Sequence, residues 1–289
     1  MRICGKRSAV SHPKVAASFG FFDIVGGKFM TEKLGLLGID ESFLPRVSTD
    51  GEMIGEYLNI PVSPALGDNQ ASFLGSVGCD EDSLLINIGT GAQVCAIGSY
   101  REPCEDIEIR PFICGKYLIC GSSLCGGSGY GMLESFFRSY AHALGLEYTS
   151  QYKTINDIAV EAYNNGEIGL KVDASFCGKR SDPASRGAIY NIDLHSFTPS
   201  ALVIGVLRGI CEELYGMYRL FSEEKKCAIA SGGAVRKNPV LQKLLSDRFG
   251  MAVAVSNIVE EAAIGAALFS ALSFGKIKSA DNVSGLLNT

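Results

Sequence analysis

The 289-residue sequence carries 26 basic and 31 acidic side chains, a net charge of −5, with 47% hydrophobic and 20% charged residues. That balance belongs to a globular chain and excludes disorder, collagen-like repeats and a disulfide-dense mini-protein. Basic residues occur singly or as short pairs such as Lys225-Lys226, which excludes a nucleic-acid-binding stripe. The length allows two domains, or one and a large part of another, and the 34 glycines are the one large excess.

In chain order, Met1 to Arg7 has no apolar core followed by a small-residue cleavage site, so no secretory leader is visible and a cytoplasmic chain is expected. Residues 1–80 are irregular, with turn-forming Gly26-Gly27, Pro45, Gly51, Pro61 and Pro64 and only short helical patterns such as Thr31–Leu37. They lack the strand and helix alternation that builds a self-contained domain. From Ser83 the texture changes. Leu84–Ile88 and Ala92–Ile97 are strand-like runs separated by Gly89-Thr90-Gly91, a hairpin signal. A third strand, Tyr117–Gly121, precedes a glycine-rich turn, and then a helical face carries Met132, Leu133, Phe136, Phe137 and Tyr140. Helices are predicted over Ile155–Asn164 and Thr198–Phe221, the latter with Pro199 in its first turn, where a missing N–H matters least. Strand, turn and helix then repeat: Cys227–Ala230, Ser231-Gly232-Gly233, Pro239–Phe249, Ala252–Val255, Glu260–Leu272. A hairpin followed by this alternation predicts an α/β fold with a mixed sheet flanked by helices.

The longest apolar stretch, Ala262 to Phe274, is shorter than the ~20 residues of a membrane-spanning helix, so no membrane partner is expected. Ten cysteines without a C-x-x-C pair, among them Cys95, Cys120, Cys211 and Cys227, read as interior free thiols. His12, His142 and His195 have no His-x-x-x-His spacing, and no protein-held metal ligands are assigned.

Asp68, in Gly67-Asp68-Asn69-Gln70-Ala71-Ser72, reads as a helix N-cap. A carboxylate at a helix entrance can also take a proton from a substrate hydroxyl. Gly89-Thr90-Gly91 reads either as a turn needing positive φ or as a phosphate loop whose bare backbone and Thr hydroxyl approach phosphate oxygens. Gly126-Gly127-Ser128-Gly129-Tyr130-Gly131 lacks the G-x-G-x-x-G spacing, and neither a Walker A sequence nor a G-x-S-x-G elbow is present. A dehydrogenase or serine hydrolase is therefore poorly supported. Gly232-Gly233 is a structural turn or a bare surface for a flat ligand. Together these features suit a nucleotide in a cleft facing a hydroxyl-bearing substrate.

These segments resemble the FGGY family of carbohydrate kinases over about Ala16 to Ala271. Gly67-Asp68-Asn69-Gln70-Ala71 resembles the family's catalytic-Asp segment, and Asn87-Ile88-Gly89-Thr90-Gly91 its second phosphate motif. Phe176-Cys177-Gly178-Lys179-Arg180, with Pro183 and Arg186-Gly187, is similar to its Gly-x-Arg loop. Ala230-Ser231-Gly232-Gly233-Ala234 is similar to its adenosine motif, and Glu261 to Ala267 to the helix that follows. Within the family, the Ala16 to Asp23, Leu207 to Ile210 and Ser231 to Pro239 segments look most like sedoheptulokinases, while xylulose, glycerol and gluconate kinases share the framework.

The resemblance implies an actin-like, ribonuclease H-like pair of domains with ATP and Mg²⁺ in the cleft between them. Residues 1–80 would be the C-terminal part of the first domain and 81–289 the nucleotide-binding second domain. Asp68 would take the proton from the sugar hydroxyl and Asn69 would help hold the sugar. Thr90 would meet the γ-phosphate, with Gly89 and Gly91 shaping the loop. Gly127, Gly232 and Gly233 would line the nucleotide, with Asn238 near the adenine. The position where glycerol kinases carry an adenine-contacting Asn falls on Lys237. Full members also begin with an Asp-x-Gly-Thr phosphate motif, which this sequence does not contain. The expectation is therefore a partial kinase of impaired activity, a non-catalytic nucleotide-binding or partner module being the alternative. Its expected partners are a sugar, ATP, and a homodimer mate or complementing N-terminal half.

Overall fold

A computed structural model describes residues 2–104 and 106–287, so the leader reading's Met1 lies outside the described residues. Its centre is a six-stranded sheet. β1 (Ser83–Ile88) and β2 (Ala92–Gly98) form the antiparallel hairpin, with Ile88 opposite Ala92. β3 (Ile107–Pro111) and β4 (Tyr117–Ser123) continue it, and β5 (Cys227–Ser231) and β6 (Ala252–Val255) add parallel strands on the other side of β1. The order is β6-β5-β1-β2-β4-β3, a mixed sheet as the sequence predicts.

The strands read as continuous apolar runs because both faces are covered. Leu84, Ile86 and Ile88 point into one core. That core is completed by α2 (Gly127–Ala143), α3 (Tyr152–Asn164), α4 (Pro199–Tyr218), α5 (Gly233–Lys237) and α6 (Pro239–Phe249). Leu85, Cys95 and Ile97 point the other way, onto Phe73 and Leu74 of α1 (Asp68–Ser76) and Phe269 of α7 (Glu261–Ser273). Helix ends follow local chemistry: Thr198 caps α4 by accepting the Ala201 N–H at 3.1 Å, with Pro199 at N1.

Several boundaries differ from expectation. β3 was not anticipated from the sequence. α2 starts inside the glycine cluster, and α4 ends at Tyr218 rather than Phe221. Neither Gly89 nor Gly91 has a positive φ, so the hairpin tip is not the turn that would demand one. Gly67 is the N-cap of α1, its carbonyl accepting the Ala71 N–H at 2.8 Å, which leaves Asp68 at the first helical position rather than at the cap. All ten cysteines are free, but Cys104, Cys114 and Cys177 are exposed, so the interior reading holds only for part of the set, including Cys95, Cys120 and Cys211.

Residues 2–66 contain short strand pairs, Val10–Ser11 with Arg46–Val47, Phe22–Asp23 with Lys28–Phe29, and Gly55–Tyr57 with Ile60–Val62, and short helices at Pro13–Ala16 and Thr31–Leu36, the latter where the sequence predicts one. Their small core of Ala16, Phe22 and Phe29 leaves Leu36 89% and Phe43 83% exposed. Among the described residues, no helix is long and apolar enough to cross a membrane.

Candidate active site

The β1–β2 tip stands between two cavities. One, of about 740 Å³, opens beside α2, α3 and α5; the other, of about 500 Å³, opens beside the start of α1. Both fall in the ~300–1,000 Å³ range of small-molecule pockets. Gly89 and Thr90 line both.

The tip is braced from α2. Gly127 N–H donates to the Gly89 carbonyl at 2.8 Å, and Gly126 and Ser128 N–H to the Thr90 carbonyl at 3.0 and 3.1 Å. Ser128 Oγ adds a bond to the same oxygen at 2.8 Å. The amides opening α2 are thus engaged by the tip itself, and the glycine there serves close approach: a Cβ on Gly127 would lie 2.6 Å from the Gly89 oxygen. A Cβ on Gly91 would lie 2.9 Å from the Ser123 oxygen. Gly232, with φ +93°, sits against the Ile88 backbone, whereas Gly233 is exposed and faces open space in the larger cavity. Asn87 and Ser231, paired across β1 and β5, tie the two turns together through a 2.7 Å bond from Asn87 Nδ2 to Ser231 Oγ.

In the smaller cavity, Asp68 is exposed and one carboxylate oxygen accepts the Asn69 N–H at 2.8 Å. Asn69 is buried. Its Nδ2 donates to Cys120 Sγ at 3.4 Å and its Oδ1 accepts from Cys95 Sγ at 3.6 Å, two thiols that face each other across β2 and β4. Arg110 and Arg180 also line this cavity, clamped by one carboxylate: Glu108 takes Arg110 Nε at 2.9 Å and Arg180 at 2.5 Å. Arg180 belongs to the Gly-x-Arg segment. Glu108 and Arg110 escaped the sequence reading, although the alternation Ile107-Glu108-Ile109-Arg110 is the period-2 signal that marks them as one face of a strand.

In the larger cavity the sequence-derived residues are joined by Tyr130, Tyr152 and Asn156. Tyr130 Oη donates to Asn156 Oδ1 at 2.8 Å, and burial pushes the Tyr130 hydroxyl well above the usual phenol range. Asn238 lines the cavity while its Oδ1 caps α6, accepting from Val240 and Leu241 N–H at 3.1 and 3.0 Å. Its Nδ2 donates to Asn156 Oδ1 at 3.4 Å. Lys237 is exposed at the rim. Nothing in the local sequence marks Asn156, because only the packing of α3 brings it to the adenosine-like turn.

Residues 85–274 match the C-terminal domain of the FGGY family of carbohydrate kinases. The chain is 26% identical over 285 residues to sedoheptulokinase of Mus musculus, covering 92% of this chain and 59% of that protein. It is 26% identical over 292 residues to glycerol kinase of Dechloromonas aromatica (strain RCB), covering 95% and 56%. The chain thus spans under two thirds of the length of these relatives. Among solved structures, xylulose kinase from Lactobacillus acidophilus superposes with a TM-score of 0.81 at 17% identity, over 98% of this chain and 59% of that one. Plasmodium falciparum glycerol kinase, solved with ADP, gives 0.77 at 22%, over 97% and 57%. The fold is the actin-like ATPase fold these kinases share. With the family profile matched over most of its length, this chain belongs to the FGGY family of carbohydrate kinases.

Proposed function

We propose that this chain supplies the nucleotide cleft and the general base of an ATP-dependent kinase that phosphorylates a hydroxyl of a sugar. The observation that carries the reading is the pair of cavities meeting at Gly89 and Thr90, with Asp68 in only one of them. ATP would lie in the larger cavity, its phosphates reaching Thr90 over Gly89, Gly127, Gly232 and Gly233. The sugar would lie in the smaller one, with Asn69, Arg110 and Arg180 around it. Asp68 accepts the hydroxyl proton as the oxygen attacks in line, so catalysis rests on positioning and charge neutralisation. Gly233, exposed with nothing within 4 Å of its Cβ position, leaves bare backbone facing the larger cavity, where a nucleotide would fit.

Among the described residues no cluster of three or more His, Cys, Asp or Glu side chains forms a metal cage. Among the described residues, Asp68 is the one carboxylate lining the two cavities. That fits Mg²⁺ carried by the nucleotide phosphates, as this ion commonly binds, where it would neutralise phosphate charge. The similarity to sedoheptulokinases favours a seven-carbon ketose as acceptor, with xylulose or another ketose or polyol as the competing substrate.

The exposed apolar side chains of residues 2–66, Leu36 and Phe43 foremost, favour a second polypeptide surface covering them, supplied by a homodimer mate or by a segment bearing the family's first phosphate motif. The 289-residue chain alone is then expected to bind nucleotide with little turnover, and addition of that segment to restore it. In the complemented enzyme, Asp68→Asn should abolish ATP-dependent sugar phosphorylation while ADP affinity changes less than about twofold. Retained turnover in that variant removes Asp68 from the role of base; robust turnover by the chain alone removes the need for a complementing segment.

A further inference from the structure

We infer that Asn156 reads the nucleobase, donating a hydrogen bond from its Nδ2 to an acceptor nitrogen in the purine ring. This rests on the nucleotide cleft proposed above and adds a residue that the family resemblance does not supply. Two residues at the adenosine-like turn are the obvious candidates, and neither has the right group free. Asn238 is buried, its oxygen bonded to two helix amides and its Nδ2 directed at Asn156. Lys237 is an exposed ammonium on a flexible stem, unable to define a plane.

Asn156 is held differently. Its Oδ1 receives both Tyr130 Oη and Asn238 Nδ2, which fixes the carboxamide with oxygen toward the protein and nitrogen away from it. The neighbours on α3, Ile155 and Ala159, are fully buried, so the helix is locked against the core while half-buried Asn156 stands at its cavity edge. The Nδ2 has no protein acceptor among the described residues. Tyr152, one turn earlier on α3, lines the same wall, its ring 6.2 Å from that of Tyr130, and offers an aromatic face beside the donor. A fixed planar donor next to an aromatic face is the arrangement that recognises the edge and the face of a flat base at once.

The test is calorimetric titration of the 289-residue chain with ADP and with inorganic tripolyphosphate, which has no base. Asn156→Asp keeps an acceptor for Tyr130 and Asn238 but removes the donor. It should weaken ADP about tenfold, the upper end for one hydrogen bond, and change tripolyphosphate less than about twofold. In wild type, one of 1-deaza-, 3-deaza- and 7-deaza-ADP should lose about the same factor. That analogue should bind Asn156→Asp no worse than ADP does, closing a double cycle on one contact. Asn156→Ser, which shortens the side chain without adding charge, must reproduce the loss of ADP affinity and the spared tripolyphosphate affinity at a temperature where it is fully folded. ADP affinity unaltered in both variants overturns the assignment, as does an equal loss of ADP and tripolyphosphate, or full retention of affinity by all three deaza analogues. Wild type that binds neither ADP nor tripolyphosphate overturns the cleft itself, and the assignment with it.

Discussion

α1 and α7 cross with their backbones in contact at two glycines, and this crossing holds Asp68 where it is. A Cβ on Gly265 would overlap the Ala71 carbonyl, lying 2.6 Å from its carbon and 3.0 Å from the Ala71 Cα. Reciprocally, a Cβ on Gly75 would lie 2.8 Å from the Gly265 nitrogen. Ordinary contact begins near 3.4 Å, so Gly265→Ala must part the helices by at least 0.8 Å along the carbonyl-carbon direction. Neither obstacle is a side chain that can rotate away. Overpacking of this kind costs about 1–3 kcal/mol, against which the higher helix propensity of Ala returns up to about 1 kcal/mol. Parting the helices also loosens Phe73 and Leu74 against Phe269, so the net loss should be about 2 kcal/mol, or roughly 4 °C or more in Tm. Gly216→Ala is the matched control, since that helical glycine is exposed with nothing within 4 Å of its Cβ position. It should raise stability by up to about 1 kcal/mol. Thermal and urea unfolding of the two variants read the difference. Gly265→Ala as stable as Gly216→Ala would refute the close-crossing explanation.

The Asp50 carboxyl, with His12 Nε2 2.8 Å away and Lys14 Nζ donating to it at 2.9 Å, is held well below the usual carboxylate range, the His12 ring contributing most. A depressed folded-state pKa gives stability that is full above the unfolded value near 3.8 and lost as pH falls below it. Asp50→Asn should therefore melt lower than wild type at pH 7, and the gap should narrow below about pH 4 in a pH series of Tm measurements. Burial pushes the Cys79 thiol up to about 12, whereas Cys104, Cys114 and Cys177 are exposed. Brief iodoacetamide treatment at neutral pH should alkylate those three well before Cys79, as peptide mass mapping would show; Cys79 reacting as fast as Cys177 would contradict its burial.

Much of the sheet was legible because burial on both faces writes itself as continuous apolar runs, as in Leu84–Ile88 and Ala92–Ile97. β3 was missed where Pro103 and Pro111 bracket the alternation and suggest a loop; Pro111 ends an edge strand, where proline is tolerated. The glycine motifs were legible as positions but not as reasons. Gly89-Thr90-Gly91 pointed to a positive φ or a phosphate loop, yet what Gly91 and Gly127 answer is the approach of other backbones. The Gly-Asp-Asn context marks the start of α1, though Asp68 sits one residue inside the helix it is expected to cap. Asn156 and Arg110 could not be found by motif, since each acquires its surroundings from an element far away in sequence.

The glycine excess then has a structural rationale beyond flexible turns. The start of α2 is hydrogen-bonded to the β1–β2 tip, and the β5–α5 turn packs on the Ile88 backbone beside it, with Gly89, Gly127 and Gly232 where these backbones meet. Because Gly89 has no side chain, Thr90 is, among the described residues, the one whose side chain borders both cavities. Its carbonyl is held by Gly126, Ser128 N–H and Ser128 Oγ, which pins the residue from behind while its exposed side chain stands at the passage. In the proposed reaction, a phosphoryl group moving from the larger cavity to a hydroxyl near Asp68 would pass a hydroxyl whose backbone is already fixed, which is the preorganisation that in-line transfer requires.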